Sequence, residues 1–209
     1  MPDEIHNRLF SRVWVRLKDP AETVEHRRRT LAGLAGRVIE LGAGDGRNFE
    51  HYPPEVSEVL AVEPEPYLRE RAEAAAREAA VAVTVVPGVA DRLPAEDTSF
   101  DAGVASLVLC TVPDQARALA ELRRVIRPGG ELRFFEHVVS RRPGAARVQR
   151  FAELFWPHVA GGCHPARDTG GAIEAAGFAI TSCDRFAFSS GFPMPKIPHI
   201  LGAARRPAG

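Results

Sequence analysis

Residues 38–48 read Val-Ile-Glu-Leu-Gly-Ala-Gly-Asp-Gly-Arg-Asn. An apolar run of strand length meets three glycines spaced G-x-G-x-G, followed by polar residues suited to opening a helix. Gly42, Gly44 and Gly46, with the small Ala43 between the first two, let backbone amides come close to a ligand. At the carboxyl end of the first strand of a Rossmann-like fold, such a turn binds a nucleotide-like cofactor. The dinucleotide fingerprint would need Gly or Ala at position 47, which is Arg47. Alone, the glycines fit a bare strand-to-helix turn equally well. Glu40 sharpens the reading. It lies two residues before Gly42 and so shares its face of the strand. A phosphate there would be repelled and an ammonium group attracted. Asn48 closes the run as a further polar candidate contact.

Other residues with chemistry stand at the ends of later apolar runs. Glu63 ends the second and can accept hydrogen bonds from both hydroxyls of a ribose. Dinucleotide sites place an acid in the same position, so Glu63 supports an adenosine ligand without choosing among them. Pro64 and Tyr67 can flank an adenine, and Tyr67 serves as well for helix packing. Gly88-Val89-Ala90-Asp91 follows the third run, where Ala90 and Asp91 can offer backbone amides to the adenine edge. Ser106, Leu107 and Cys110 leave the fourth run, and Glu136 and His137 the fifth. In an open α/β sheet these ends line the ligand crevice. A thiol, with a pKa near ~8.5, is only a few per cent thiolate at neutral pH. A histidine, ordinarily near ~6.5, is a suitable base for it. His137 is either that base or a structural histidine closing a strand. His158, Cys163 and His164 have metal-binding chemistry, but no C-x-x-C accompanies them, and no metal is expected.

The elements that must position these residues alternate. Strands are expected at 37–41, 57–62, 81–86, 101–109 and 131–137, with candidate last strands at 178–184 and 199–205. Helices are expected at 20–34, 66–80, 113–126, 143–156 and 169–176. This alternation implies a mostly parallel sheet covered on both faces. Residues 1–36 form a helical prelude, with Ile5, Leu9, Phe10, Val13, Trp14 and Leu17 at helical spacing. They are expected to pack as a helix on the core, to act as a lid over the cofactor belonging to the same domain, or to do both, with Phe10 and Trp14 towards the substrate. Residues 37–209 form the rest of that domain. Phe151, Phe155 and Trp156 form either an aromatic wall of a pocket or plain core.

Bulk properties exclude several classes. The chain has 209 residues with zero formal net charge, which argues against a nucleic-acid binder. Its apolar runs are strand-sized, so no membrane span is expected. Met1 to Lys18 lacks the continuous apolar core of a signal peptide. Cys110, Cys163 and Cys183 are odd in number and far apart in sequence, which suits cytoplasmic thiols. Lys18 and Lys196 are the sole lysines, and the excess of arginine reads as codon bias.

Residues 40–46, Ala61-Val62-Glu63-Pro64, the segment from Leu93-Pro94 to Ser99-Phe100-Asp101, and the run from Leu122 to Gly130 resemble, in order and spacing, the motifs of class I S-adenosylmethionine-dependent methyltransferases of the type 11 group. The resemblance covers roughly residues 37–137. It implies an α/β, Rossmann-like, doubly wound sheet of seven strands in the order 3-2-1-4-5-7-6, with strand 7 antiparallel. The cofactor it implies is S-adenosylmethionine, which carries an ammonium and a sulfonium and leaves as S-adenosylhomocysteine. Val89 departs from the pattern, because many relatives carry an acid there for the adenine amino group.

A narrower likeness lies in Ser106–Cys110, Glu136-His137-Val138, Phe155–His158, Gly161–His164 and Pro198–Gly202. These segments resemble the thiol S-methyltransferase branch of the methyltransferase-like proteins and its bacterial relatives. That likeness implies methylation of small apolar thiols, with Cys110, Glu136, Trp156 and His164 beside the substrate. Mammalian members carry an N-terminal membrane anchor, and this chain is expected to work without one, as a cytoplasmic monomer or weak homodimer. A small-molecule O- or N-acceptor and a non-catalytic cofactor binder are the rival readings.

Overall fold

The last four residues of β1 (Gly36–Leu41) are buried, as a parallel strand covered on both faces requires. In the computed structural model, which describes residues 11, 12, 15, 16, 18–189 and 196–208, β1 stands near the middle of a seven-stranded sheet. Its neighbours are β2 (Val56–Val62), β3 (Val83–Val86), β4 (Phe100–Ser106), β5 (Ile126–His137), β6 (Ala179–Phe188) and β7 (Ile197–Arg205). The order is β3-β2-β1-β4-β5-β7-β6. The first five strands are parallel, and β7 runs antiparallel to both β5 and β6. This is the expected doubly wound topology. Its strand order reverses between β1 and β4, which opens a crevice at their carboxyl ends.

Alternation along β1 assigns the two layers. Ile39 and Leu41 join a core with Leu119, Leu122, Ile126 and Phe134. Val38 joins another with Leu31, Phe49, Val59 and Val104. The covering helices are α1 (Ala21–Leu31), α2 (Pro66–Glu78), α3 (Gln115–Val125), α4 (Pro143–Ala152), α5 (Trp156–Val159) and α6 (Thr169–Ala175). Side-chain carboxylates begin three of them. Glu65 accepts from the Leu68 amide, Asp114 from Arg117 and Asp168 from Gly171. No helix among the described residues is long and apolar enough to cross a membrane.

Several boundaries differ from expectation for local reasons. β4 stops at Ser106 because Leu107 sits at φ 59°, where a side chain is disfavoured. The expected helix 143–156 breaks in two. Pro157 lacks an amide hydrogen and collides with the preceding helical turn, so it begins α5 instead of continuing α4. α4 also docks on an unexpected face. Ala146 and Gln149 are buried, whereas Val148, Phe151 and Leu154 are at least 67% exposed and Phe155 is half exposed. The Gln149 amide explains this, because it donates to the carbonyls of Val138 and Pro165 and accepts from the Ser140 amide. The aromatic pair Phe151 and Phe155 is therefore not core.

Candidate active site

The glycine turn leaves β1 with Gly42, Gly44 and Gly46 all at positive φ. Their surroundings differ. A Cβ on Gly42 would strike Val108, and one on Gly46 would meet Ala75 and Phe49 at 2.8 Å. A Cβ on Gly44 would meet nothing within 4 Å, so this is the glycine with open space above it. Beneath it, Glu63 reaches across from the end of β2. One carboxylate oxygen accepts from the Gly44 amide at 2.8 Å and the other from the Glu65 amide at 2.9 Å. An ionised carboxylate has about four lone-pair sites, so roughly two remain for a ligand. Burial pushes the Glu63 carboxyl up to about 7, against those two amide bonds. Pro64 is half-buried beside it. Ala90 and Asp91 form the corner of a tight turn closed by the Val89–Arg92 bridge, with Asp91 exposed.

Glu40 is placed differently from expectation. It is buried, and its oxygens accept from the Asn48 amide and the Tyr52 hydroxyl, both at 2.7 Å. Burial again pushes its carboxyl up to about 7, opposed by those bonds and by Arg27. Asn48 is buried too, with its carbonyl taken by Arg27 at 3.0 Å. Neither side chain is open to direct contact with a ligand. Glu40 lies beneath the turn, and Asn48 links it to the N-terminal segment. The buried guanidinium of Arg27, on α1, continues that link. It bonds Asp19 at 2.6 Å and approaches the Ser106 hydroxyl at 3.4 Å, and Asp19 in turn holds Arg47 at 2.5 Å. Arg27, Asp19 and Tyr52 were not legible as site residues. An arginine among many on a helix carries no mark of burial.

Across the crevice, Leu107 turns the chain sharply, with its amide on the Phe135 carbonyl at 2.7 Å. The next three amides converge on Glu136. Val108 and Leu109 donate to one oxygen at 2.9 Å each, and Cys110 donates to the other at 3.1 Å. Glu136 is fully buried, so the expectation that it meets substrate is corrected: it is the post on which the β4 turn is built. His164, also expected at the substrate, instead pairs with Glu153 at 2.8 Å, and Glu153 accepts from the Ala166 amide as well. Phe10 and Trp14 lie outside the described residues.

Cys110 and His137 do come together, and Cys163 joins them. Nδ1 of His137 lies 3.5 Å from the Cys110 sulfur and 3.1 Å from that of Cys163. His158 and His164 have no part in this cluster. The hydrogen bond from Cys110 pulls the Cys163 thiol down to about 5, aided by His137 and the Trp156 indole against the opposing effect of burial. The same bond, then burial, pushes the Cys110 thiol well above its ordinary value. Trp156, half-buried, thus has a place at the cluster. Both thiols are buried and the imidazole is half-buried, so His137 is the member that can meet a ligand. Its ring packs edge-on against His199, with centroids 4.4 Å apart. His199 donates through Nδ1 to the Ile197 carbonyl, and its Nε2 has no partner among the described residues. Burial, then His137, lowers His199 to about 2.

Residues 39–134 match a family model described as a methyltransferase domain. The chain is 36% identical to the human thiol S-methyltransferase TMT1B over 180 residues, which is 83% of this chain and 73% of that protein. It is 31% identical to human thiol S-methyltransferase TMT1A, with the same coverage of 83% and 73%. Among solved structures, a SAM-dependent methyltransferase from Methanosarcina mazei superposes with a TM-score of 0.64 at 18% identity. That match covers 87% of this chain and 97% of the other.

Proposed function

Because this chain belongs to the S-adenosylmethionine-dependent methyltransferases, in the family of the thiol S-methyltransferases TMT1A and TMT1B, we propose that its methyl acceptor is a small-molecule thiol. The observation that carries this reading is the extent of the likeness. The match to the family model ends at residue 134. A match covering 83% of 209 residues extends well beyond it and cannot avoid positions 137 and 163. The likeness to the thiol S-methyltransferases therefore spans the segments of the acceptor side as well as those of the cofactor side, which supports this reading.

The cofactor is S-adenosylmethionine, and the residues of the turn suit it. Glu63 offers its two remaining acceptor sites to the ribose hydroxyls. The backbone at Gly44 gives the ligand room, Pro64, Ala90 and Asp91 border the adenine, and Ser106 and Leu107 flank the methionine moiety. Glu40 lends negative charge from below, which favours a cation over a phosphate. Residues 1–36 serve as the lid, supported by the Asp19–Arg47 and Arg27–Asn48 bonds that tie this segment to the turn.

Catalysis consists mainly of alignment, because the sulfonium is already a good leaving group. The acceptor sulfur meets His137 and loses its proton there. Its lone pair then attacks the methyl carbon, and the pair of the breaking C–S bond returns to the cofactor sulfur. A mass-spectrometric screen of thiols, amines and phenols tests the proposal. Thiols should be methylated with release of S-adenosylhomocysteine, and His137→Asn should lower kcat more than it raises KM. Equal turnover of all three classes, or of amines alone, would refute the choice of sulfur.

A further inference from the structure

We propose that Cys110, Cys163 and Nδ1 of His137 form a three-ligand site for a zinc ion whose fourth position takes the sulfur of the acceptor. The metal site stands on its own geometry, and its role in activating the acceptor rests on the thiol reading above. In a tetrahedral site, Zn–S of about 2.3 Å and Zn–N of about 2.0–2.1 Å put neighbouring ligand atoms roughly 3.5–3.8 Å apart. The two imidazole–sulfur separations are 3.5 and 3.1 Å, and all three ligand atoms lie within 4.8 Å of one another. Closing on an ion needs shifts of at most a few tenths of an ångström in the two imidazole–sulfur separations and at most about 1 Å between the two sulfurs.

The surroundings are built to hold this arrangement. Cys110 is fixed by its amide on Glu136 and by its carbonyl, which accepts from the His164 amide at 2.8 Å. That second bond lays the 161–164 loop on the β4 turn. Gly161 and Gly162, both at positive φ, turn the chain just before Cys163. Half-buried Trp156 lies beside Cys163, where a neighbouring side chain can orient a ligand. The ligands come from three separate parts of the chain, unlike the close C-x-x-C pairs of structural zinc sites. Three protein ligands and an open position are the pattern of catalytic ones.

Such a site answers how an acceptor thiol becomes nucleophilic. A thiol bound to zinc is deprotonated outright, and its proton passes to water. His137 then serves as a ligand and the ion does the work otherwise asked of a base. The bound sulfur attacks the sulfonium methyl, the new S–C bond forms as the old one breaks, and the electron pair stays on S-adenosylhomocysteine. One thioether and one proton are the other products. The neutral thioether is a weaker ligand than the thiolate and leaves.

The test uses the full chain, reduced and stripped of metal. Titration with zinc against a chromophoric chelator should show one tight equivalent. Cobalt should give a thiolate-to-metal charge-transfer band that falls by about half in Cys110→Ser and in Cys163→Ser. Cys183→Ser, on exposed β6, should match wild type. Adding an acceptor thiol should strengthen the band. Wild-type protein that binds S-adenosylmethionine yet takes up no stoichiometric zinc overturns the site, whatever the variants do. Cys163→Ser with unchanged zinc affinity does so too. Metal-free enzyme that methylates thiols at full rate overturns the ion's role while the thiol reading stands. Zinc-loaded enzyme that methylates only amines overturns the thiol reading and, with it, the fourth ligand.

Discussion

Replacing Glu63 by glutamine should separate the turn from its ligand. The carboxylate has about four acceptor sites, of which the amides of Gly44 and Glu65 use two. Glutamine keeps one oxygen and swaps the other for a donor. At least one ribose hydroxyl then loses a charged acceptor, a bond worth about 1.5–3 kcal/mol. S-adenosylmethionine should bind about 10- to 100-fold more weakly, as read by calorimetric titration. The pH dependence makes the argument stricter. With its carboxyl at about 7 in the free protein, Glu63 is roughly one-tenth ionised at pH 6 and nine-tenths at pH 8. Its preference for the hydroxyl donors should therefore grow about tenfold across that range. The cofactor's own amino group and Glu40 also titrate nearby, so the quantity to read is the ratio of wild-type to Glu63→Gln affinity at each pH. A ratio that stays flat between pH 6 and 8, or a variant that binds as tightly as wild type, would refute the assignment of Glu63 to the ribose.

Glu136→Gln leaves the buried Cys110 amide facing a donor, which should cost about 1–3 kcal/mol in urea unfolding. Glu136→Ala frees all three amides and should cost more, and equal stability of the two variants would contradict the post-like role. His199→Phe should remove an acid sensitivity. The folded-state value of about 2 lies below the unfolded value near ~6.5, so the unfolded chain binds the extra proton and stability is lost as pH falls from 6.5. Between pH 7 and 5 wild type should lose about 2 kcal/mol more than the variant, a difference that paired denaturation curves will show or deny. Gly44→Ala should cost about 1–2 kcal/mol for its left-handed backbone without any clash. It should weaken cofactor binding as well, because the new methyl enters the open space; unchanged affinity would place the ligand elsewhere.

What was legible in the sequence followed from strong local rules. Buried parallel strands carry long apolar runs, and the glycine turn and Glu63 sit at their ends, so the parallel sheet and the cofactor side could be read directly, while the strand order came from the family resemblance. The errors came where a polar group outweighed a pattern. Phe151 and Phe155 suggested a pocket wall or a buried face, yet the Gln149 amide, with three backbone partners, turned α4 the other way. Leu107 cut β4 short because three amides had to reach Glu136, a demand that no periodicity records. Cys163 was weighed with its sequence neighbours His158 and His164, whereas its partners in space are Cys110 and His137, from the ends of β4 and β5. Contacts between distant segments are set by the topology, and single-residue chemistry does not announce them.

The two buried carboxylates on either side of the crevice show why counting acceptor sites separates binding from architecture. Glu63 and Glu136 have the same local setting: each ends a parallel strand, is buried, and accepts backbone amides from a neighbouring turn. Their sequence contexts gave them equal claims to a ligand. Glu63 takes two amides and keeps about half of its capacity, beside a glycine with open space. Glu136 takes three and has no exposed surface. A ligand hydroxyl could be added to the first at little desolvation cost, whereas the second, with no exposed surface, offers none of its oxygens to a ligand. The same reasoning moves the acceptor chemistry off Glu136 and onto its neighbour His137, where two thiols and a half-buried imidazole retain donor and acceptor capacity that the backbone has not claimed.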